Sequence, residues 1–240
     1  ASLVDPNPKV SGRRFKQLRA AGIHVEVGGL EEQARRLNAA FARYIRQGTP
    51  LVTLKAAMTL DGKIAPPPAE ALNRAEGTPA GGWVTSEVAR AHVQELRHEN
   101  DALLVGVGTI LSDNPLLTDR SGRARRRPLL RAILDSRLRL PLDSRLAQSA
   151  ATERRDDVIV FCTAAGGKAS DERKRAQLDE LGIRLESVPA VEPDGRPDLS
   201  AILRRLGEME ITAVMIEGGA TVNWTAASGS WASGTGSTAP

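Results

Sequence analysis

The sequence predicts an α/β fold with a mostly parallel sheet flanked by helices, and three observations carry that prediction. Segments at 102–107, 129–135, 157–162, 183–188 and 212–217 read as strands. Segments of helical periodicity lie among them, near 30–47, 86–97, 170–181 and 198–208, and such alternation belongs to parallel sheets with helical crossovers. The run Ala102 to Val105 ends in Gly106-Val107-Gly108-Thr109, followed by Asp113, Thr118 and Arg120. Glycine, hydroxyl, carboxylate and guanidinium after a buried strand suit a polar, phosphorylated ligand. The strict G-x-G-x-x-G fingerprint is not met, because Leu111 stands where its third glycine belongs.

The elements are justified in chain order. Asp5-Pro6-Asn7-Pro8 is turn sequence, and Ile23 to Val27 alternates as a short strand. Leu30, Ala34, Leu37, Phe41 and Tyr44 form one apolar stripe, so 30–47 is expected to be a single amphipathic helix stopped by Gln47-Gly48-Thr49-Pro50. A strand is expected from Leu51 to Ala57, then a turn at Asp61-Gly62. Residues 66–82, rich in Pro, Ala, Glu and Gly, read as a surface loop, and Ser86 as the N-cap of a helix running to Arg97. Arg123 to Arg127 reads as an exposed loop, and the Gly/Ser-rich stretch from Ala226 to Pro240 as a disordered tail.

Composition bounds the function. Of 240 residues, 41% are hydrophobic and 26% charged, ordinary for a globular chain, and at 3% aromatic the core must be aliphatic. The net charge of +4 reads as a solvated arginine-rich surface, with particular arginines left for an anionic ligand. Scarce aromatics and the lack of a recognised module argue against nucleic-acid binding. The single cysteine, Cys162, excludes an internal disulfide or Cys-rich zinc site, and its apolar neighbours predict an inert strand residue. No apolar stretch approaches the roughly 20 residues that span a bilayer, and no basic-apolar leader is seen, so a cytoplasmic location is expected.

Four blocks point further: Thr53-Leu54-Lys55-Ala56-Ala57-Met58-Thr59-Leu60-Asp61-Gly62-Lys63-Ile64-Ala65; Trp83-Val84-Thr85-Ser86 with Ala89-Arg90 and Leu96-Arg97; Asp101 to Arg120; and Met215-Ile216-Glu217-Gly218-Gly219. In their order and spacing they resemble the reductase domain of the bifunctional riboflavin-biosynthesis deaminase–reductase family, over roughly residues 48–225. The resemblance implies a dihydrofolate-reductase-like fold, NADPH as cofactor, a homodimer, and reduction of 5-amino-6-(5-phosphoribosylamino)uracil to its ribitylamino form. Residues 1–47 resemble the end of the family's cytidine-deaminase-like domain, through Asp5-Pro6-Asn7-Pro8-Lys9-Val10-Ser11-Gly12. The zinc-binding H-x-E and P-C-x-x-C blocks are absent, so deamination is not expected.

The resemblance also assigns residues. Ala57, Trp83, Thr109, Asp113, Ser136 and the run Gly218, Gly219, Ala220, Thr221 and Asn223 match cofactor contacts; Gly81, Arg97, Leu117, Arg120 and Glu217 match substrate contacts. Each has an ordinary alternative. Ala57 suits strand packing, Trp83 a core position, Thr109 and Asp113 helix capping, and Ser136 a plain turn. Arg97 would serve as a solvated cation at a helix end, whereas an arginine fork such as Arg120 suits phosphate. The Gly218-Gly219 pair opens a helix whose amides suit a cofactor phosphate, although such turns also occur without ligands. Lys55 and Asp61 are the candidates for catalysis: hydride delivery leaves charge on nitrogen or oxygen, and a proton donor there assists. An Asp-Gly turn alone accounts for Asp61.

After Glu217 the family continues into further strands, whereas here Trp224-Thr225 runs into the Gly/Ser-rich tail. The expectation is a domain lacking its C-terminal strands and less stable for it. A non-catalytic nucleotide-binding remnant of the same fold is the rival reading.

Overall fold

The computed structural model describes residues 1–62, 84–163, 169–193, 195–217 and 222. Two compact units are distinguished: Ala1–Leu51 with Leu203–Ala213, and Val52–Ile202 with the described residues from Val214.

The second unit holds most of a six-stranded sheet. Its strands are β1 (Leu51–Leu54), β2 (Ala102–Gly106), β3 (Leu130–Leu134), β4 (Val158–Thr163), β5 (Arg184–Val188) and, after the short antiparallel pair β6 (Ala190–Val191) and β7 (Arg196–Pro197), β8 (Ala213–Ile216). The order is β1-β8-β2-β3-β4-β5. β2 with β3, β2 with β8, β3 with β4 and β4 with β5 are all parallel pairs. The amides of Leu51 and Lys55 donate to the carbonyls of Thr212 and Ile216 at 2.8 and 3.0 Å, a constant offset that makes β1 parallel to β8 as well. Parallel strands are covered on both faces, which is why Ala102 to Val105 and Val158 to Cys162 are unbroken apolar runs with no exposed residue.

One face of the sheet receives four helices: α4 (Glu87–Glu99), α5 (Val107–Asp113), α6 (Arg145–Glu153) and α7 (Ala169–Glu180). Their Val93, Leu96, Ile110, Leu146, Ala150 and Leu178 pack with Leu103, Val105, Ile133, Val160 and Met215 in one apolar cluster. α4 begins as expected, with the Ser86 hydroxyl accepting the Ala89 amide at 3.3 Å; Ser144 caps α6 in the same way. α8 (Leu199–Glu208) buries Leu199, Ile202, Leu203 and Leu206 at helical spacing.

The first unit carries α1 (Arg13–Ala20), α2 (Glu31–Leu37) and α3 (Ala39–Gln47). The expected single helix over 30–47 is two. At Asn38 the backbone leaves helical geometry (φ −101°, ψ 8°), and its side-chain amide donates to the Ala34 carbonyl at 2.8 Å, competing with the helix's own ladder. The helix stop holds: Gly48 ends α3 with φ 68°, a left-handed cap. The strand expected at Ile23 to Val27 is irregular chain with no pairing strand, and Ile23 and Val27 stay exposed. α1, α5, α6 and the β6–β7 pair were not legible as elements. β1 ends at Leu54, three residues short of the expected Ala57. The loop expected at 66–82 and the tail at 226–240 lie outside the described residues.

Candidate functional site

Four neighbouring strands, β1, β8, β2 and β3, end on the same side of the sheet, and three of them lead into polar residues. Lys55 leaves β1 with its amide held by the Ile216 carbonyl, and Glu217 leaves β8 with its amide donating to the Leu104 carbonyl at 3.0 Å. Gly106 closes β2, and Asp135-Ser136 follows β3. The crevice beyond such ends is where open parallel sheets bind ligands. Lys55, Ala57, Thr109 and Ser136 are half-buried.

The glycine pair divides its work. A methyl group on Gly106 would come within 3.0 Å of the Val222 side chain, so this glycine admits protein. A methyl on Gly108 would meet nothing within 4 Å, so space lies open there. Gly108 is not in a loop but in the first turn of α5, with Gly106 at its N-cap. Thr109 is inside the helix and Asp113 is its last residue, so neither caps its N-terminus. The open space at Gly108, the half-buried Thr109 hydroxyl nearby and the half-buried Ser136 fit the sugar and amide groups of a dinucleotide.

Arg97 is where the structure departs most from a bland expectation. It is no solvated helix-end cation. Its Nε and Nη2 donate to Glu217 Oε1 and Oε2 at 2.7 and 2.8 Å, and Nη1 donates to the Thr118 carbonyl at 2.9 Å. Both side chains are only 11% exposed. This two-pronged, charge-assisted pair joins the last turn of α4 to the end of β8 across 120 residues of sequence.

A second cluster adjoins it. The Asp119 carboxylate, 5% exposed, accepts from His98 Nδ1 at 2.8 Å, Arg125 Nη1 at 2.9 Å and the Ser121 amide at 2.8 Å. Burial pushes the Asp119 carboxyl up, but the Ser121 amide and hydroxyl, His98 and Arg125 together hold it well below the usual carboxylate range. Arg125 also donates to the carbonyls of Arg97 and His98 at 3.1 Å each and of Asn100 at 2.6 Å, which satisfies the C-terminus of α4. The loop expected to be solvated therefore sends Arg125 inward, and Arg127 pairs with Asp101 at 3.0 Å. Arg123, Ala124, Arg126 and Arg127 keep the expected character of exposed residues.

Other expected site residues fall as follows. Leu117 is 4% exposed within the apolar cluster and adopts φ 57°, so its side chain serves packing. Arg120 is exposed, with its amide fixed by Gln94 Oε1 at 3.0 Å. Asp61 lies in an exposed turn, its carboxylate accepting from the Thr59 hydroxyl, and the Gly62 amide closes that turn onto the Thr59 carbonyl. Cys162 is fully buried, as expected. Gly81, Trp83, Gly218, Gly219, Ala220, Thr221 and Asn223 lie outside the described residues. Sequence reasoning missed Asp119, His98 and Arg125; the available signal was a lone acid between arginines, Asp119 ahead of Arg120 to Arg127.

A model of the RibD C-terminal domain matches residues 50–229. The chain belongs to the RibD C-terminal domain family. It is 40% identical over 222 residues to the riboflavin biosynthesis protein RibD of Actinobacillus pleuropneumoniae, covering 92% of this chain and 53% of that protein. With RibD of Bacillus amyloliquefaciens the identity is also 40%, over 92% of this chain and 54% of the relative. The chain thus spans about half the length of the curated relatives it matches. Among solved structures, Acinetobacter baumannii RibD aligns with a TM-score of 0.68 at 32% identity, over 91% of this chain and 54% of that one. A Thermotoga maritima diaminohydroxyphosphoribosylaminopyrimidine deaminase/5-amino-6-(5-phosphoribosylamino)uracil reductase aligns at 0.66 and 32%, over 91% and 52%. The fold is the dihydrofolate-reductase-like α/β sheet of these reductase domains. No helix among the described residues is long and apolar enough to cross a membrane.

Proposed function

We propose that this chain carries the NADPH-dependent reduction of 5-amino-6-(5-phosphoribosylamino)uracil to the ribitylamino compound in riboflavin biosynthesis. The observation that carries the reading is the placement of Lys55 and Glu217 at adjacent strand ends, with Arg97 bonded to Glu217. The first two leave adjacent parallel strands, and the third is locked to Glu217 by two short hydrogen bonds. Family membership and the activity for which the Thermotoga relative is named support the substrate.

The residues' roles follow from their chemistry. When bound, NADPH supplies the hydride. Thr109, Asp113 and Ser136 would hold it, with Ala57 and, from the segments outside the described residues, Trp83, Gly218, Gly219, Ala220, Thr221 and Asn223. Glu217 and Arg97 present a carboxylate and a guanidinium at a fixed spacing, suited to the polar edge of an aminopyrimidine. Arg120, exposed and cationic, suits the substrate phosphate. Gly81 and Leu117 would complete the substrate contacts, Leu117 through its backbone. Lys55 carries the proton donor of the reduction: its ammonium gives a proton to the side-chain nitrogen or oxygen as the carbon is reduced. Asp61 is a second acid–base candidate, on the turn that follows Lys55.

The test is a titration with NADPH and NADH followed by tryptophan fluorescence, with Asp113→Ala alongside, and then turnover of the phosphoribosylaminouracil. Saturable NADPH binding that weakens in Asp113→Ala, with turnover, is expected. A folded chain that binds neither nucleotide ends the proposal.

A further inference from the structure

We propose that Asp119 and Arg125 are positioning residues that set the Arg97–Glu217 pair, so that these two side chains, on the loop between α5 and β3, tune the substrate site without themselves touching substrate. The argument rests on how Arg97 is held. Its guanidinium makes three hydrogen bonds among the described residues, two to Glu217 and one to the Thr118 carbonyl. A guanidinium has five N–H donors, so two remain for a ligand. Those two are aimed only as well as the three anchors fix the plane.

Both ends of that anchoring lead to Asp119. The Thr118 carbonyl belongs to the residue just before it, and the Asp119 carboxylate is tied to His98, the residue after Arg97. Arg125 closes the circuit. It bonds Asp119 at 2.9 Å and the backbone carbonyl of Arg97 itself at 3.1 Å. Arg97 is thus gripped by its own carbonyl, its helical neighbour and its side-chain acceptor, all through one carboxylate–guanidinium pair. Asp119 and Arg125 are 5% and 18% exposed, so neither relaxes freely into water when its partner is lost. Supporting shells of this kind hold functional groups to sub-ångström tolerance, and a small misplacement is expensive in rate.

The effect on turnover rests on the proposed reductase reading; the effect on Arg97 does not, and the experiment separates them. The exchange of the Arg97 Nε–H with solvent is measured by ¹⁵N NMR on the full chain, the resonance being assigned by its loss in Arg97→Lys. In wild type, the bond to Glu217 slows exchange. Asp119→Asn and Arg125→Gln are expected to accelerate it about 10-fold, Arg125→Lys less, and Arg126→Gln, an exposed residue of the same loop, not at all. In steady-state kinetics the first two variants should lose about 10-fold in kcat/KM, chiefly through KM for the pyrimidine, with NADPH affinity unchanged. Should Asp119→Asn fail to fold, Arg125→Lys and Arg125→Gln carry the comparison. Unchanged Arg97 Nε–H exchange in the folded variants overturns the proposal. A wild-type chain that turns over no pyrimidine defeats the reductase reading alone, because the exchange comparison stands without substrate.

Discussion

Replacing Glu217 by alanine leaves the Arg97 guanidinium 11% exposed in the native site, with the Thr118 carbonyl as its remaining partner among the described residues. Two charge-assisted bonds of 2.7 and 2.8 Å vanish, and a buried cation is stranded. Removing one partner of a buried pair costs about 3–5 kcal/mol; slight exposure admits water to both groups and puts Glu217→Ala at about 3 kcal/mol. For a chain of this size that lowers Tm by about 6–12 °C. The double variant Arg97→Met/Glu217→Leu removes both charges and fills their volume, and should lie within about 1 kcal/mol of wild type. Urea unfolding followed by circular dichroism at pH 7 measures all three, Arg97→Met included, through the midpoint at constant slope. A double variant as unstable as the sum of the singles would refute the reasoning, since it would mean that the two residues stabilise the fold independently. In the same series substrate turnover should fall in every variant, including the stable double one, which separates what the pair does for folding from what it does for the reaction.

Four further outcomes are expected. The Asp119 carboxyl titrates lower folded than unfolded, so its contribution is complete above the ordinary aspartate value of about 3.9 and is lost as pH falls below it. Asp119→Asn should therefore flatten the acid limb of a stability-versus-pH curve, and an unchanged limb would contradict the assignment. Gly207→Ala tests packing in the first unit: alanine normally gains up to about 1 kcal/mol in a helix. Here its methyl would overlap the Gly48 carbonyl oxygen and come within 2.9 Å of the carbonyl carbon, neither of which can swing aside as a side-chain tip would. Overpacking of about 1–3 kcal/mol wins, and calorimetry should show a lower Tm; an equal or higher one counts against the geometry. Arg131 and Asp157 pair at 2.6 Å with 2% and 8% exposure, so Arg131→Met alone should be strongly destabilising, while Arg131→Met/Asp157→Leu recovers stability and leaves NADPH binding intact. Lys55→Ala should lower turnover more than NADPH affinity; undiminished turnover removes Lys55 from proton donation.

The sheet was legible because burial on both faces writes itself into composition. β2, β3, β4, β5 and β8 each appear within a residue or two of the expected strands; for β2, β4 and β8 the reason is that a central parallel strand has no solvent face to interrupt its apolar sequence. Helix boundaries were legible where a side chain marks them, as at Ser86 and Gly48. They were lost where a competing hydrogen bond decides, as at Asn38, whose apolar flanks continue the helical stripe unbroken. α5 was hidden because its glycines read as loop; only the approach of Val222 shows how tightly Gly106 is packed. The site was half legible. Glu217 and Arg97 stand in recognisable blocks, but their bond spans 120 residues, and nothing local announces it. Arg125 was least legible, because a run of arginines looks the same whether each is solvated or one turns inward to cap a helix.

Beside Arg125–Asp119, the nearly buried pairs Arg97–Glu217 and Arg131–Asp157 raise the question of which belongs to a site, and position in the sheet separates them. Arg131 is the second residue of β3, and Asp157 immediately precedes β4, so their pair lies at the amino ends of parallel strands. Its other partners, the Leu116 carbonyl at 3.2 Å and the Ser149 hydroxyl at 2.8 Å, lie on a loop and on α6, which makes it a clamp between layers. Glu217 lies at the carboxyl end of β8, beside the ends of β1 and β2, where the chain opens into the crevice that parallel sheets use for ligands. The chemistry of the two pairs is the same, and so is the argument from burial. Only the end of the strand differs, and it is the end that supports the proposal of Arg97 and Glu217 as a recognition element and leaves Arg131 and Asp157 a fastening.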